Sequence, residues 1–272
     1  MTPFLVFDIE TIPDIDGIRR IHGLDPALPE TEVAEFAFQK QRAKNGSDFL
    51  PHYLHRVIVI SCALRTVRDL RVWSLAEPDQ SEGEIVQRFF DGVEKFTPRL
   101  VSWNGGGFDL STLHYRGLIH GVEAPRYWDM GEGNHNDSRE FKWNNYINRY
   151  HARHLDLMDL LALYQIRASA PLDELAKLIG FPGKLGMDGG KVWDAWVRGE
   201  ISEIRDYCET DVMNTLLVFL RFCLMRGEIT RGEYDEEIRF VKSELARTGK
   251  RHWEEFLAAW GSGDGRQETG DR

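Results

Sequence analysis

The sequence predicts an α/β domain with a mixed central sheet and helices on both of its faces. Predicted strands cover residues 3–9, 56–67 and 69–75, and a tight turn joins the last two. Strands joined by such a turn pair antiparallel, whereas the alternating helix and strand patterns that follow are typical of parallel strands. The 272-residue chain is 42% hydrophobic, which is sufficient for one large core.

Two polar segments are predicted as insertions into this domain. Residues 11–52 include one stretch with helical spacing, ETEVAEFAFQKQRA, so we expect an insertion that contains a short helix. Residues 122–153 are long, polar and rich in aromatic side chains, and we expect an irregular excursion with some strand character. No internal repeat is visible in either segment or elsewhere in the chain.

Caps and periodicity predict the elements between these segments. Ser81 precedes the amphipathic stretch EGEIVQRFFDGVEKF, as an N-cap residue does. A short strand over residues 99–103 ends at three glycines, and the helix that follows ends at Gly121. A further short helix, in PLDELAKLIG, ends at Gly180.

Helical patterns dominate the last quarter of the chain. The strongest of them covers residues 201–227, and one or two further helices are predicted over residues 228–260. The polar, glycine-rich end, residues 261–272, has the composition of a disordered tail. We therefore expect a main domain over residues 1–227 and a helical extension over residues 228–260.

The charge balance restricts the class of partner. Lysine and arginine number 34 against 44 aspartate and glutamate residues, which gives a formal net charge of −10. A protein that coats nucleic acid nonspecifically normally presents a basic surface, so this class is disfavoured. An enzyme that holds one strand end locally remains compatible with the charge, and metal ions would then mediate its contact with phosphate.

Cysteine usage and hydropathy point to the cytoplasm. Cys62, Cys208 and Cys223 lie in apolar contexts without a metal-type spacing, as small buried residues of a reducing compartment do. No apolar run approaches the roughly 20 residues of a membrane span, and the N-terminal residues MTPFLVFD do not resemble a secretory signal. We expect a cytoplasmic protein without a membrane partner.

Three acidic stretches stand out. In FLVFDIET, residues 4–11, Asp8 and Glu10 project to the same side of a strand, where their like charges repel. In WNGGGFD, Asp109 enters the first turn of a helix, and in YCETD, Tyr207 and Asp211 lie one turn apart on one helix face. Taken singly, these are also explained by a solvated strand end, a helix cap and a chance pair.

Together the stretches predict a metal centre. Asp8, Glu10, Asp109 and Asp211 supply four hard oxygen ligands, which favour Mg²⁺ or Mn²⁺ over zinc. Two such ions could activate water and stabilise the leaving oxygen in phosphodiester cleavage. The histidines of residues 122–154 lack the helical spacing of a zinc-binding pair, so we do not expect a zinc site.

In order and context, FDIET, NGGGFD and YCETD resemble the three exonuclease motifs of the DEDD superfamily, which has a ribonuclease H-like fold. A tyrosine four residues before the last aspartate is similar to the DEDDy branch. The chain resembles, over roughly residues 3–225, the predicted 3′–5′ exonucleases related to the proofreading domain of family-B DNA polymerases. HLDLMDLL and LIGFPGK are similar to that group as well.

The resemblance implies a catalytic set that holds two divalent cations, Mg²⁺ or Mn²⁺, and positions a water molecule. This set comprises Asp8, Glu10, Asp109, Tyr207 and Asp211. Within it Asp8 would bridge both metals, and Tyr207 would position the water, because a phenol with a pKa of about 10 is a poor base at neutral pH. The resemblance also implies that Thr11 contacts the terminal nucleotide and that Asn104 lies near the substrate strand.

The implied function is metal-dependent 3′–5′ exonuclease action on the 3′ end of single-stranded nucleic acid, with DNA favoured. Three alternatives stay open: an RNA-directed exonuclease, a noncatalytic relative that binds nucleic acid or a partner protein, and an enzyme acting on mononucleotides. A noncatalytic relative is expected to lack one or more of the metal carboxylates, and this chain has all four.

Several residues outside the motifs have two readings each. Asp156 and Asp159 could add a fifth acid to the site or serve as caps, and Lys184 in FPGKLG could reach a phosphate or be a solvated loop residue. One cluster mixes aromatic and basic side chains, which either stack bases of a single strand or pack a long insertion. Its members are Trp143, Tyr146, Arg149, Tyr150 and Arg153.

Overall fold

The computed structural model describes residues 3–77 and 80–263. Its five strands are β1 (Phe4–Pro13), β2 (His55–Arg65), β3 (Leu70–Leu75), β4 (Arg99–Ser102) and β5 (His154–Asp156). They form one sheet in the order β3-β2-β1-β4-β5. β1 pairs antiparallel with β2 and parallel with β4, and β4 pairs parallel with β5. This mixed sheet confirms the predicted fold class, and its short fifth strand, β5, was not among the predicted strands.

Eleven α-helices lie in the described part of the chain. They are α1 (Ile15–His22), α2 (Glu30–Asn45), α3 (Glu82–Phe96), α4 (Asp109–His120), α5 (Ser138–Phe141), α6 (Leu157–Leu161), α7 (Leu172–Ile179), α8 (Val192–Val197), α9 (Ile201–Met225), α10 (Arg231–Arg247) and α11 (Arg251–Gly263). Short 3₁₀ turns cover His52–Leu54, Ile166–Ala168 and Gly189–Lys191. No helix in the described ranges is long and apolar enough to cross a bilayer.

The central strand β1 separates two hydrophobic cores. Phe4 and Val6 pack into the core that α9 covers, whereas Leu5, Phe7 and Ile9 pack into the core that α3 covers. This alternation follows from the two-residue period of a strand. It confirms helices on both faces of the sheet and directs the even-numbered side chains of β1 towards α9.

The predicted start of α3 is confirmed. The Ser81 hydroxyl accepts a hydrogen bond from the Glu84 backbone N–H at 3.3 Å, and the Glu84 carboxylate accepts one from the Ser81 N–H at 2.7 Å. This reciprocal pair is a capping box, which satisfies two N–H groups that would otherwise lack partners.

The segment over residues 11–52 is more ordered than the sequence predicts. β1 continues to Pro13, past a shift of register between Glu10 and Thr11, and the segment holds two helices where one short helix was expected. α2 has 16 residues. It is stabilised by a small separate core, in which Val33, Ala34 and Ala37 pack against Ile15 and Ile18 of α1. The local pattern of α2 does not reveal this pairing of helices.

The segment over residues 122–153 is irregular as expected, but the predicted strand character is wrong. Its regular structure is the short helix α5, and the next strand begins only at His154. Side-chain amides take the place of a strand partner. The Asn145 carbonyl oxygen accepts the N–H groups of Ile147 and Asn148, and that of Asn144 accepts those of Ala152 and Arg153.

The C-terminal helices pack directly on the sheet core. Trp253, Phe256 and Trp260 of α11 are buried in the same hydrophobic cluster as Phe4 and Val6. α11 continues to Gly263, so the first three residues of the predicted tail are helical. The rest of that tail, residues 264–272, lies outside the described residues, and the boundary between residues 227 and 228 stays a prediction.

A buried ion-pair network fixes α4 to the rest of the fold. The Arg116 guanidinium on α4 donates to both carboxylate oxygens of Glu82 at 2.7 and 2.5 Å, and to Asp14 at 2.6 Å. Glu82 also accepts the Val57 backbone N–H of β2 at 2.7 Å and bonds to His120 at 2.8 Å. One arginine therefore joins α4, α3, β2 and the start of α1.

Removing this arginine should destabilise the whole domain. In Arg116→Met, Glu82 and Asp14 lose their buried partner, and we expect the free energy of unfolding to fall by about 3–5 kcal/mol. Urea denaturation followed by circular dichroism measures the loss. Arg247→Met is the control, because Arg247 pairs with Glu244 on an exposed face of α10 and an exposed pair contributes little. Equal stability of the two variants would contradict the role assigned to the network.

Candidate active site

The carboxylates of Asp8 and Glu10 lie on the α9 side of β1. Glu10 is buried and Asp8 is half-buried, and Asp211 of α9 is buried opposite them. Burial raises the pKa of Asp8 well above its usual range, and the neighbouring charges of Asp109 and Asp211 raise it further. Burial and the charge of Asp8 likewise raise the pKa of Glu10. The four predicted acids therefore lie within electrostatic reach of one another.

Asp109 reaches β1 through a backbone N–H that the sheet leaves free. β4 pairs with β1 only over Phe4–Val6. Beyond that point the Ile9 N–H lacks a strand partner on this side, and it donates to the Asp109 carboxylate at 3.2 Å. Asp109 is buried at the N-terminus of α4, and burial raises its pKa to about 7. The contact holds Asp109 between Asp8 and Glu10 along β1.

The glycine loop after β4 is held by a side chain from β5. The Asn104 and Gly106 N–H groups donate to the two Asp156 carboxylate oxygens, each at 2.9 Å. Asp156 also accepts the Asp159 N–H and caps α6. A side chain at Gly107 would overlap the Asn104 amide, since its Cβ would lie 2.3 Å from Oδ1. Asp156 thus caps α6 and fixes the loop that leads to Asp109, and it also lies near the acids, because its charge raises the pKa of Asp109.

The side chain of Lys184 carries the one ammonium group that lies near the acids in the described site. Its Nζ lies 3.0 Å from Asp211 Oδ2 and 2.5 Å from the Tyr207 hydroxyl. Burial favours the neutral amine, but the charges of Asp211, Asp8 and Glu10 outweigh it and raise the pKa of Lys184. The solvated-loop reading of Lys184 is therefore wrong.

Sequence reasoning missed the residue that places Lys184. Asn214 lies three residues after Asp211 on α9, donates to the Gly183 carbonyl at 2.9 Å and accepts the Gly183 N–H at 3.1 Å. The Lys184 N–H also donates to Asp173 at 2.6 Å. The available signal was an asparagine inside the apolar run VMNTLL. A residue in such a run is expected to be buried, as Asn214 is, and a buried amide needs polar partners.

Tyr207 lies one turn before Asp211 and its side chain is buried. Burial and the charges of Asp211, Glu10 and Asp8 raise its pKa above the ordinary value, so the phenol keeps its proton. The Tyr207 oxygen accepts a hydrogen bond from the Lys184 ammonium, and the phenolic hydrogen points to the Asp211 carboxylate one turn away. The arrangement suits a role for Tyr207 as a hydrogen-bond donor that orients another group. It does not suit a role as a general base.

The donor set fits divalent cations. Asp211 Oδ1 is buried and has no hydrogen-bond partner among the described residues, and the charges of three acids, Asp211, Asp8 and Glu10, act on the Lys184 ammonium group. Hard carboxylate oxygens are the ligands that Mg²⁺ and Mn²⁺ prefer. The Cys208 thiol lies 3.6 Å from Asp8 Oδ2. Burial and the charges of Asp8 and Glu10 raise the pKa of this thiol, so it stays protonated and donates to Asp8.

A second acidic group on α9 has a structural role. His252 of α11 uses both ring nitrogens, Nε2 at 2.9 Å from Glu209 and Nδ1 at 3.1 Å from Asp206. Glu209 also accepts the Ser74 hydroxyl of β3 at 3.0 Å. These contacts join α11 to α9 and to the sheet.

The two predicted substrate contacts lie in different places. Thr11 lines a cavity of about 790 Å³ that begins at Glu10, and its hydroxyl bonds to His55 at 2.8 Å. Asn104 has a left-handed backbone, with a φ of 65°, and its side chain lies over Gly107. Asn104 is not part of the lining of that cavity.

The predicted aromatic and basic cluster divides into two parts. Tyr146 is buried and donates to the Pro98 carbonyl at 2.6 Å, and Arg153 stacks on Phe141 with 3.7 Å to the ring centroid. These two residues pack the insertion. Trp143 and Tyr150 are exposed, at 76% and 70%.

The family model of the predicted 3′–5′ exonucleases related to the exonuclease domain of PolB matches residues 47–260, and the chain belongs to this family. The match contains Asp109, Tyr207 and Asp211 and begins after β1. No curated protein matches the chain.

One similar solved structure is that of the family B DNA polymerase from the hyperthermophilic archaeon Pyrobaculum calidifontis. It is 17% identical to this chain, with a TM-score of 0.47, over 79% of this chain and 24% of the polymerase. The chain therefore spans about a quarter of the length of that polymerase.

Asp109→Asn tests the electrostatic state of the site. It removes one buried negative charge while an oxygen stays available to the Ile9 N–H, so the melting temperature of the metal-free protein should rise by about 2–4 °C for each kcal/mol gained. Excess Mg²⁺ or Mn²⁺ should stabilise the wild type more than the variant, because ligand binding stabilises the folded state.

Thermal melts in chelator and in metal measure both effects. Asp16→Asn, which removes an exposed carboxylate on α1, should leave both melting temperatures near the wild-type values. The charge cluster would be contradicted if Asp109→Asn melted at a lower temperature than wild type in chelator. It would also be contradicted if metal raised the melting temperature of Asp109→Asn as much as that of wild type.

Proposed function

We propose that the protein is a metal-dependent 3′–5′ exonuclease that hydrolyses the terminal phosphodiester bond of single-stranded nucleic acid. The observation that supports this most is the electrostatic cluster at the end of the central strand, in which the charges of Asp109 and Asp211 act on Asp8 and Lys184 pairs with Asp211. DNA is the favoured substrate, because the family is related to the exonuclease domain of a DNA polymerase. A noncatalytic scaffold would have no need to keep four repelling acids buried together.

Asp8, Glu10, Asp109 and Asp211 would hold two divalent cations, Mg²⁺ or Mn²⁺. Bound there, such ions supply positive charge that favours ionisation of water and stabilises the leaving oxygen. The ions would also offset the repulsion that raises the pKa values of Asp8 and Glu10. The charges of both Asp109 and Asp211 act on Asp8, so Asp8 would be a ligand at the centre of this group.

The remaining side chains position the reacting groups. Tyr207, protonated and held by Lys184, donates a hydrogen bond that orients the attacking water. Lys184 is long and charged, and its ammonium beside Asp211 would contact the terminal phosphate. Hydrolysis adds the hydroxyl of water to the phosphorus and breaks the bond between phosphorus and the 3′ oxygen of the preceding nucleotide. The remaining proton of the water goes to that 3′ oxygen. The products are a 5′-mononucleotide and a shortened strand.

We also place the protein in the cytoplasm. Its three cysteines are buried and unpaired, and free thiols of this kind are typical of a reducing compartment.

The proposal predicts stepwise 3′ shortening of an end-labelled single strand in Mg²⁺ or Mn²⁺. Asp8→Ala should lower the rate by at least about 100-fold, since a metal ligand is lost, and chelator should abolish activity. DNA and RNA strands are compared in parallel on denaturing gels, and DNA should be shortened faster. Mononucleotides serve as a third substrate.

Asp206→Asn is the matched control, because Asp206 lies next to Tyr207 in sequence but pairs with His252 outside the cluster. It should keep near wild-type activity. If wild type and Asp8→Ala are equally inert on both polymers, the exonuclease function is refuted. Faster shortening of RNA would replace DNA by RNA as the substrate.

Tyr207→Phe tests the role of the phenol as an orienting donor. We expect kcat to fall by about 10–100-fold with little change in KM, because water positioning acts in the chemical step. Since the pKa of Tyr207 is raised, its ionisation should not shape the activity profile between pH 7 and 9. The variant and wild type should therefore have profiles of the same shape, and loss of an alkaline limb in the variant would indicate a base.

A further inference from the structure

The cavity that begins at Glu10 continues away from the acids towards the α2–β2 loop. Its volume is about 790 Å³, within the range of small-molecule sites, and its lining includes Glu10, Thr11 and Phe108. Phe108 immediately precedes Asp109, so the cavity touches the acidic cluster at two places. The far wall comes from α2 and from residues 46–50, within the segment predicted as an insertion.

Three aromatic rings, those of Phe49, His55 and Phe108, form part of the lining of this cavity. The Phe49 ring lies 5.3 Å from the Phe108 ring and 5.1 Å from the His55 ring, measured between centroids, and His55 lies 5.1 Å from Phe108. Phe49 has these ring neighbours on one side and is nevertheless 55% exposed. A large apolar ring supported from behind and open in front is a stacking surface.

The loop that carries Phe49 is held in place by side chains. Arg42 donates to both carboxylate oxygens of Asp48 at 2.9 Å and to Glu35 at 2.6 Å. The Phe49 N–H donates to the Ser47 hydroxyl at 3.1 Å. The next residue, Leu50, is buried in the core of α1 and α2, so Phe49 is presented by an ordered loop, which lowers the conformational entropy lost on binding.

His55 is anchored as well. Its Nε2 faces the Leu50 carbonyl at 3.0 Å, and a carbonyl only accepts, so Nε2 carries the hydrogen. Nδ1 then accepts the Thr11 hydroxyl at 2.8 Å. Both ring nitrogens are used, and the ring is fixed as a support for Phe49 and Phe108.

We propose that this cavity receives the terminal nucleoside of the strand and that Phe49 stacks on its base. The inference rests on the proposed function, because the terminal phosphate must lie at the acids for its nucleoside to enter the neighbouring cavity. Stacking on an aromatic ring accepts every base, since each has a π-face. Phe49 is thus a binding residue for the terminal base without a preference among the four.

The test combines a protein change with a substrate change. Phe49→Ala should lower kcat/KM on the order of 10-fold on a strand that ends in an ordinary nucleotide. On a strand that ends in an abasic residue the variant and wild type should agree within about twofold, because no base is present to stack. Phe49→Tyr should recover most of the activity on the ordinary strand.

Phe96→Ala is the matched control. Phe96, at the end of α3, is 52% exposed and does not line the cavity, so its removal should change neither rate. An equal loss on both strands would assign Phe49 a merely structural role, and no loss on either would exclude it from binding. Both results overturn the inference and leave the exonuclease function intact.

Binding is measured separately, by fluorescence anisotropy of the same 5′-labelled strands in chelator, where no cleavage is expected. Wild type should bind the ordinary strand more tightly than the abasic one, and Phe49→Ala should bind both alike. If wild type cleaves nothing but shows this difference in binding, the exonuclease function fails and the stacking site stands. If Phe49→Ala still prefers the ordinary strand, the stacking site is refuted.

Discussion

Repulsion among the buried acids at the end of β1 is the constraint on which the rest of the structure depends. The charges of Asp109 and Asp211 act on Asp8, and in the described site the Lys184 ammonium group, paired with Asp211, opposes them. Like charges repel each other more strongly when they are buried, because water no longer solvates and screens them. The surrounding structure must therefore hold the four acids in place. The scaffold must therefore be stiff where these residues are attached.

The stiffness comes from buried polar contacts outside the acidic motifs. Arg116 joins the helix of Asp109 to three other elements, Asp156 holds the glycine loop before it, and Asn214 holds the loop of Lys184. Arg116 lies two helical turns after Asp109 on α4, and Asp156 lies on the strand next to the one that leads to Asp109. Such partners orient the groups of a site without taking part in its chemistry.

The segment between β1 and β2 changes the shape of the site. α1 and α2 form their own small core, and the loop after α2 brings Phe49 against Phe108, next to Asp109. The end of the central strand thereby becomes one wall of a cavity instead of an open edge. For the proposed exonuclease function, a cavity next to the acids suits a nucleic-acid strand that enters by its end. An open sheet edge would accept the middle of a nucleic-acid strand equally well.

The sequence by itself determined the mixed character of the sheet, four of its five strands and most of the long helices, and it singled out the four acids, because strand period, helix caps and carboxylate spacing are local properties. The ordered triple FDIET, NGGGFD and YCETD also carried the family resemblance. Only the tertiary structure decided that Lys184 lies at Asp211, that α2 packs on α1 and that Phe49 lies at the cavity. These depend on contacts between residues far apart in the chain, and no local pattern encodes which distant surfaces meet.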